Sequence, residues 1–187
     1  MSAKKRYRPL WVILHWLMAI LVFSTFGIGL LSLAYQPNTP AKLVPLAVHM
    51  ALGIAILVIV IARVLLRLLV FRPPRRTTQS PTIKLKKQPI LDQLNVYVHP
   101  LLYLFTALMA LLGIAIAIPA NLFTTVLGGA GAALPADFYI YPARTWHGTL
   151  SLILMLLIAQ HVLVAIFHQF LKGENFLGRM WFNKDNR

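Results

Sequence analysis

The chain has 187 residues, of which 59% are hydrophobic and 12% charged, and its mean hydropathy is +0.74. This composition excludes an ordinary soluble domain and indicates a membrane protein. The sequence contains no cysteine, which excludes disulfides, iron–sulfur ligation and the covalent attachment of c-type haem.

Four segments are long and apolar enough to cross the ~30 Å hydrocarbon core of a bilayer, which takes about 20 helical residues. They cover residues 10–33, 45–70, 95–118 and 144–171. The first is longer than the apolar region of a secretory leader, so we expect it to remain in the mature protein. The two longest connections between these segments, residues 72–89 and 119–143, are each too short to form a second domain. The sequence therefore predicts a single all-α membrane domain over residues 1–187, built as a four-helix bundle.

The charges in the connecting segments predict the orientation of this bundle. Of the 18 Lys and Arg residues, 16 fall on one side of the membrane and 2 on the other. The positive-inside rule places the basic side, which carries both termini, in the cytoplasm. The net charge of +14 thus lies where anionic lipid headgroups attract it, so we expect lipid contact and no nucleic-acid partner.

Three histidines in the fourth span indicate a function inside the membrane. His147 and His161 are 14 residues apart, which on a helix is a rise of about 21 Å and a return to within about 40° of the same face. His15 lies near the inner side of the first span, and His49 lies about one turn from the outer side of the second. Their depths predict an inner pair, His15 with His161, and an outer pair, His49 with His147.

Two His–His pairs, each drawn from two helices, suit two b-type haems with an imidazole on both faces of the iron. Small residues that would leave room for the macrocycle lie beside these histidines: Ala19, Gly53, Gly148 and Ala165. A His-lined metal or proton transporter is the non-redox alternative. It is disfavoured because the four acidic residues of the chain all lie at span edges or in loops.

Two further histidines compete for these roles. His168 lies seven residues after His161 on nearly the same face, but its use as a ligand would separate the two haems by the full thickness of the hydrocarbon layer. We therefore favour His161 and interpret His168 as an interfacial residue. His99, beside Tyr97 and Pro100, has the pattern of an interfacial anchor, and a role near a bound quinone stays open.

Basic residues accompany the predicted pairs. Arg63 follows His49 by 14 residues, which places it at the inner level, where its guanidinium would meet a haem propionate. Arg67, one turn further, would meet the same haem or a lipid phosphate. Arg144 and Lys42 precede His147 and His49 and are expected at the edge of the outer haem.

The three segments that carry these residues resemble the haem-binding helices of the bacterial cytochrome b561 family: LWVILHWLMAILVF, AVHMALGIAILVIVIARVLLRL and TWHGTLSLILMLLIAQHVLVAIFH. The resemblance extends from Arg6 to about Trp181. It implies a di-haem four-helix membrane fold with His15, His49, His147 and His161 as ligands, in the pairing that the depths predict. It also implies an electron carrier of the bacterial inner membrane that exchanges electrons with ubiquinone.

One branch of this family oxidises superoxide and passes the electron to ubiquinone, and it is similar in size and also lacks a soluble domain. We therefore expect a superoxide:ubiquinone oxidoreductase that contains two haem b groups. The alternative within the same family is a cytochrome b subunit that serves a soluble dehydrogenase or reductase. The outer surface does not fit the expectation of a superoxide substrate well. Its charged residues are Lys42, Arg144 and Asp137, and two positive charges against one negative charge give only a weak field for attracting an anion.

Overall fold

The computed structural model describes residues 9–69, 90–129, 133–173 and 178. It contains four long helices: α1 (Pro9–Gly27), α2 (Leu43–Leu69), α3 (Ile90–Ala117) and α4 (Pro142–Phe170). No strand occurs in the described ranges. Each helix contains a segment long and apolar enough to cross a membrane. The prediction of an all-α membrane bundle is therefore confirmed.

The candidate spans of the structure are Pro9–Leu33, Pro40–Leu69, Tyr97–Ala117 and Pro142–Phe170. The second begins earlier than predicted because a short 3₁₀ turn, Pro40–Lys42, leads directly into α2. Pro40 and Pro142 each stand at the first helical positions, where proline's fixed φ suits the helix and its missing N–H costs no hydrogen bond. The basic linker 72–89 and both chain ends, on which the predicted orientation depends, lie outside the described residues.

Two segments depart from the α-helical hydrogen-bond pattern. The first span continues beyond α1 as the π-helical segment Ile28–Leu33, and a second π-helical segment, Phe123–Leu127, follows α3. In the first, the N–H of Ala34 donates to the carbonyl of Gly29 at 3.0 Å, a bond across five residues. Such widened turns often occur beside functional sites, and this one lies next to His49.

The helices do not pack equally closely against each other. Helix α3 packs along α4, and α2 packs against both α1 and α3, whereas α4 approaches α1 and α2 much less closely. The space between α4 and the α1–α2 pair is where histidines of these helices face each other. Helix α4 is therefore closely packed on the side that faces α3 and loosely packed on the side that faces α1 and α2.

We use "outer end" for the end of the bundle that carries residues 34–42 and 118–141, following the orientation predicted from charge, and "inner end" for the opposite end. A small apolar cluster, the outer cap, closes the outer end. Its buried members are Leu46, Ala117, Ala120 and Leu122. Partly buried side chains pack around them, including Leu33 at the end of the first span and Phe138 in the second outer connection. The cap therefore packs the second connection against the ends of the first two spans.

A polar clamp completes the outer cap. Lys42 is only 8% exposed, and its Nζ donates to the backbone carbonyl of Gln36 and to Oδ1 of Asn38, both at 2.8 Å. The Asn38 amide donates in turn to the carbonyls of Pro135 and Ala136, at 2.9 and 3.1 Å. Lys42 thus has a structural role in the outer cap, because its ammonium group bonds to Asn38, whose amide connects the two outer connections. Its predicted position at the edge of the outer haem stays a prediction.

Substitution Asn38→Ala removes three of these hydrogen bonds and is expected to loosen the outer cap. Each bond contributes about 1 kcal/mol net, and the buried ammonium that loses a partner adds to the cost. Hydrogen exchange measured by mass spectrometry should accelerate in residues 34–42 and 133–141. Gln36→Ala is the control, because only its backbone carbonyl takes part. Equal exchange in the two variants would contradict the clamp.

Candidate functional site

The inner end of α1 and the inner half of α4 bring two of the predicted histidines together. The ring centroids of His15 and His161 are 6.2 Å apart, and the ring planes are inclined at 60°. Both side chains are half-buried, and each is carried by a regular helix. The predicted inner pair is thus present as two facing imidazoles from different helices.

The outer pair repeats this arrangement at the other level of the bundle. The ring centroids of His49 on α2 and His147 on α4 are also 6.2 Å apart, with ring planes inclined at 65°. Because α4 is continuous from Pro142 to Phe170, its two histidines are separated by 14 residues, or about 21 Å of helix rise. One helix therefore carries one member of each pair.

The centroid separation tests whether a metal-centred group fits between the rings. A metal–imidazole bond of about 2.0 Å plus about 1.1 Å from the nitrogen to the ring centre, taken on both sides, gives roughly 6.2 Å. Both pairs match this value. Paired imidazoles at this spacing fit the axial positions of a haem iron.

His99 lies closer to the inner pair than the sequence indicated. Its ring centroid is 5.0 Å from that of His161, with the planes nearly perpendicular at 86°. This distance is shorter than two metal–imidazole bonds require, so the geometry favours His15 over His99 as the partner of His161. His99 is exposed and lies at the edge of the inner pair. Applying the depth arithmetic to the third span would have found this proximity.

The side chain of His168, interpreted from the sequence as an interfacial residue, is buried in the structure. It lies in the last turn of α4, but only 6% of its surface is exposed, and its ring contacts that of Phe167 at a centroid distance of 6.0 Å. This burial could not be predicted from the sequence, because burial by neighbouring helices cannot be derived from the position of a residue along one helix.

Arg63 is buried at the inner level among aromatic side chains. Its Nε donates to the hydroxyl of Tyr103 at 2.8 Å, and its guanidinium lies 5.5 Å from the Trp11 ring centre and 5.4 Å from that of Tyr103. It also interacts electrostatically with His15. Its Nη1 is buried without a hydrogen-bond partner, so this donor could bond to an anionic oxygen.

Arg144 occupies the corresponding position at the outer level. It is close enough to His49 and His147 to interact with both electrostatically, and its guanidinium lies 5.0 Å from the Tyr139 ring centre. A Cβ at Gly148 would lie 3.2 Å from an Arg144 guanidinium nitrogen. Gly148, predicted as a small neighbour of a macrocycle, therefore makes room for the arginine. Arg67 is exposed in the last turn of α2.

Comparison with known proteins agrees with this geometry. The family model described as prokaryotic cytochrome b561 matches residues 6–183. The chain belongs to the prokaryotic cytochrome b561 family. Two relatives match nearly end to end. Cytochrome b562 of Cereibacter sphaeroides is 28% identical over 184 residues, covering 96% of this chain and 98% of its own. A probable superoxide oxidase CybB of Yersinia pestis is 28% identical over 185 residues, covering 94% and 96%.

Membership of the cytochrome b561 family establishes the general function. The chain is a bacterial membrane cytochrome that binds haem b and transfers electrons. The predicted resemblance is therefore confirmed. The described residues contain no group of three or more His, Cys, Asp or Glu side chains arranged to hold a metal ion.

Tyr103→Phe should destabilise this cytochrome, because it leaves the buried Nε of Arg63 without its acceptor. An unsatisfied buried donor costs about 1–3 kcal/mol, and a charged one more. We expect a lower thermal unfolding temperature of the detergent-solubilised protein. Tyr97→Phe is the matched control, since Tyr97 is 65% exposed. Equal unfolding temperatures for the two variants would mean that the Arg63–Tyr103 bond does not stabilise the protein.

Proposed function

We propose that this cytochrome holds two haem b groups, one between His15 and His161 and one between His49 and His147, and that it transfers electrons from superoxide to ubiquinone. The observation that carries the di-haem proposal is the equal 6.2 Å separation of the two pairs. With an imidazole from each histidine of a pair, each iron would have no open coordination position, and the haems would supply outer-sphere electron transfer.

The arginines would complete the two cofactor sites. Arg63, held by Tyr103 and the Trp11 ring, would direct its remaining guanidinium N–H groups toward a propionate of the inner haem. Arg144 would do the same at the outer haem, where Gly148 leaves space for its side chain. The Tyr139 ring supports this guanidinium. Arg67 stays a weaker candidate for the inner propionates because it is exposed.

The choice of substrate has separate support. A relative that aligns over almost the whole chain is named a probable superoxide oxidase, and Arg144 provides a positive charge beside the outer pair. Oxidation of two superoxide ions would supply the two electrons that, with two protons, reduce one ubiquinone to ubiquinol. Lys42 adds a second positive charge at this end, although its ammonium group is hydrogen-bonded within the outer cap.

Pulsed superoxide added to purified protein tests this substrate. The expected result is rapid haem reduction, abolished by superoxide dismutase, followed by reoxidation when ubiquinone is added. Haems that stay oxidised with superoxide but become reduced by ubiquinol would reject the superoxide proposal. That outcome would favour the alternative, a cytochrome b subunit that serves a soluble dehydrogenase or reductase.

His49→Ala and His147→Ala are expected to lose the same haem, leaving about one haem per chain, because each removes one axial ligand. His15→Ala and His161→Ala should lose the other haem. Haem content by pyridine haemochrome and the spectrum of the remaining haem are the measurements. Spectrally different losses within one pair would disprove the pairing.

His99→Ala and His168→Ala serve as controls for these ligand variants. The 5.0 Å separation of the His99 and His161 rings supports His15 as the opposite ligand, and neither His99 nor His168 belongs to a pair with the 6.2 Å separation. Both variants should keep two haems. Loss of a haem in either variant would require a different ligand set.

Arg63→Leu should lower the midpoint potential of the inner haem, because it removes a positive charge that stabilises the reduced state. At about 4 Å and an effective dielectric constant of about 20, a charge contributes about 4 kcal/mol, and at about 21 Å about one-fifth of that. The outer haem should therefore shift much less in a resolved redox titration. Arg67→Leu, the exposed control, should shift both haems little. A larger shift of the outer haem in Arg63→Leu would contradict the assignment.

A further inference from the structure

The ring of His49 is constrained by the first span as well as by its own helix. Its Nδ1 lies 3.0 Å from the backbone carbonyl of Thr25. Because a carbonyl only accepts hydrogen bonds, Nδ1 must carry the proton and donate it. This leaves Nε2 as the nitrogen with a free lone pair. The tautomer and the orientation of the His49 ring are thus both fixed by α1.

Gly29, one turn after Thr25, lies against the same ring. A Cβ at this position would be 3.2 Å from Cε1 and 3.6 Å from Nδ1 of His49. Carbon atoms in favourable contact are about 3.5–4.0 Å apart, so a methyl group here would displace the ring by a few tenths of an ångström. Gly29 belongs to the π-helical segment Ile28–Leu33, which brings its backbone close to the imidazole.

His147, the opposite member of the outer pair, is less constrained. It faces Gly113 of α3, where a Cβ would lie 3.5 Å from its Cε1, an ordinary contact. The carbonyl of Met109 lies beside His147, but no acceptor is within hydrogen-bonding geometry of its Nδ1. Each outer histidine therefore faces a glycine of the preceding helix, but only His49 is held by both a hydrogen bond and a tight contact.

We propose that the Thr25 carbonyl and Gly29 are a positioning device for His49, which sets the ring orientation and the redox properties of the outer haem. The proposal rests on the assignment of His49 as an axial ligand. The hydrogen bond from Nδ1 makes the imidazole a stronger donor to the iron, and Gly29 lets the ring come close enough to form that bond. Gly29 acts through His49 and is not itself a ligand.

Gly29→Ala tests this inference, with Gly27→Ala and Gly113→Ala as controls. A Cβ at Gly27 meets nothing within 4 Å, so this variant reproduces the change in helix propensity without touching the ring. The readouts are haem content, the low-spin ferric EPR signal of the outer haem and its midpoint potential. In Gly29→Ala the EPR signal should shift and the potential should rise, because a weaker bond to Thr25 makes His49 a poorer donor. Both controls should match the unmodified protein.

The outcomes separate the inference from the assignment on which it rests. Loss of the outer haem alone in Gly29→Ala, with both haems kept in Gly27→Ala, also supports the positioning role. An unchanged EPR signal and potential would overturn the positioning role. Loss of both haems would overturn it too, because Gly29 would then be required for folding of the whole bundle. If His49→Ala itself keeps both haems, the ligand assignment is wrong.

Discussion

The presence of imidazoles within membrane-spanning helices is the constraint on which the rest of the structure depends. A polar ring in hydrocarbon is costly unless it has a partner. Four such rings meet as two pairs with the same 6.2 Å separation. The loose approach of α4 to α1 and α2, against its close packing on α3, leaves the space in which both pairs lie. The bundle therefore organises its packing around α4 and the two histidines that face this space.

The two ends of the bundle support their pairs by different means. At the inner end a buried guanidinium is held between aromatic rings by Tyr103. At the outer end an apolar cap and the Lys42–Asn38 clamp fix the connections, and the first span fixes the ring of His49. A guanidinium lies close to each pair, Arg63 at the inner level and Arg144 at the outer one, but a hydrogen bond to a backbone carbonyl constrains His49 of the outer pair. The surroundings of the two pairs therefore differ.

The helical period explains how much the sequence could predict. Fourteen residues bring a helix back to nearly the same face, so the spacing of His147 and His161, and of His49 and Arg63, indicated two levels before any packing was known. Contacts between different helices do not repeat along the sequence in this way, so the spacing of residues does not predict them. The short distance from His99 to His161, the burial of His168 and the use of Lys42 in the cap depend on how neighbouring elements meet. Gly29 and Gly113 are ordinary helix glycines until the ring opposite each is known.

The number of haems per chain tests the central claim most directly. Native mass spectrometry of the detergent-released protein, combined with the haem-to-protein ratio by pyridine haemochrome and amino-acid analysis, measures it without any substitution. Two equally spaced histidine pairs predict a chain that carries two haem b groups. A fully loaded chain that carries a single haem would contradict the account, because one of the 6.2 Å pairs would then have another role.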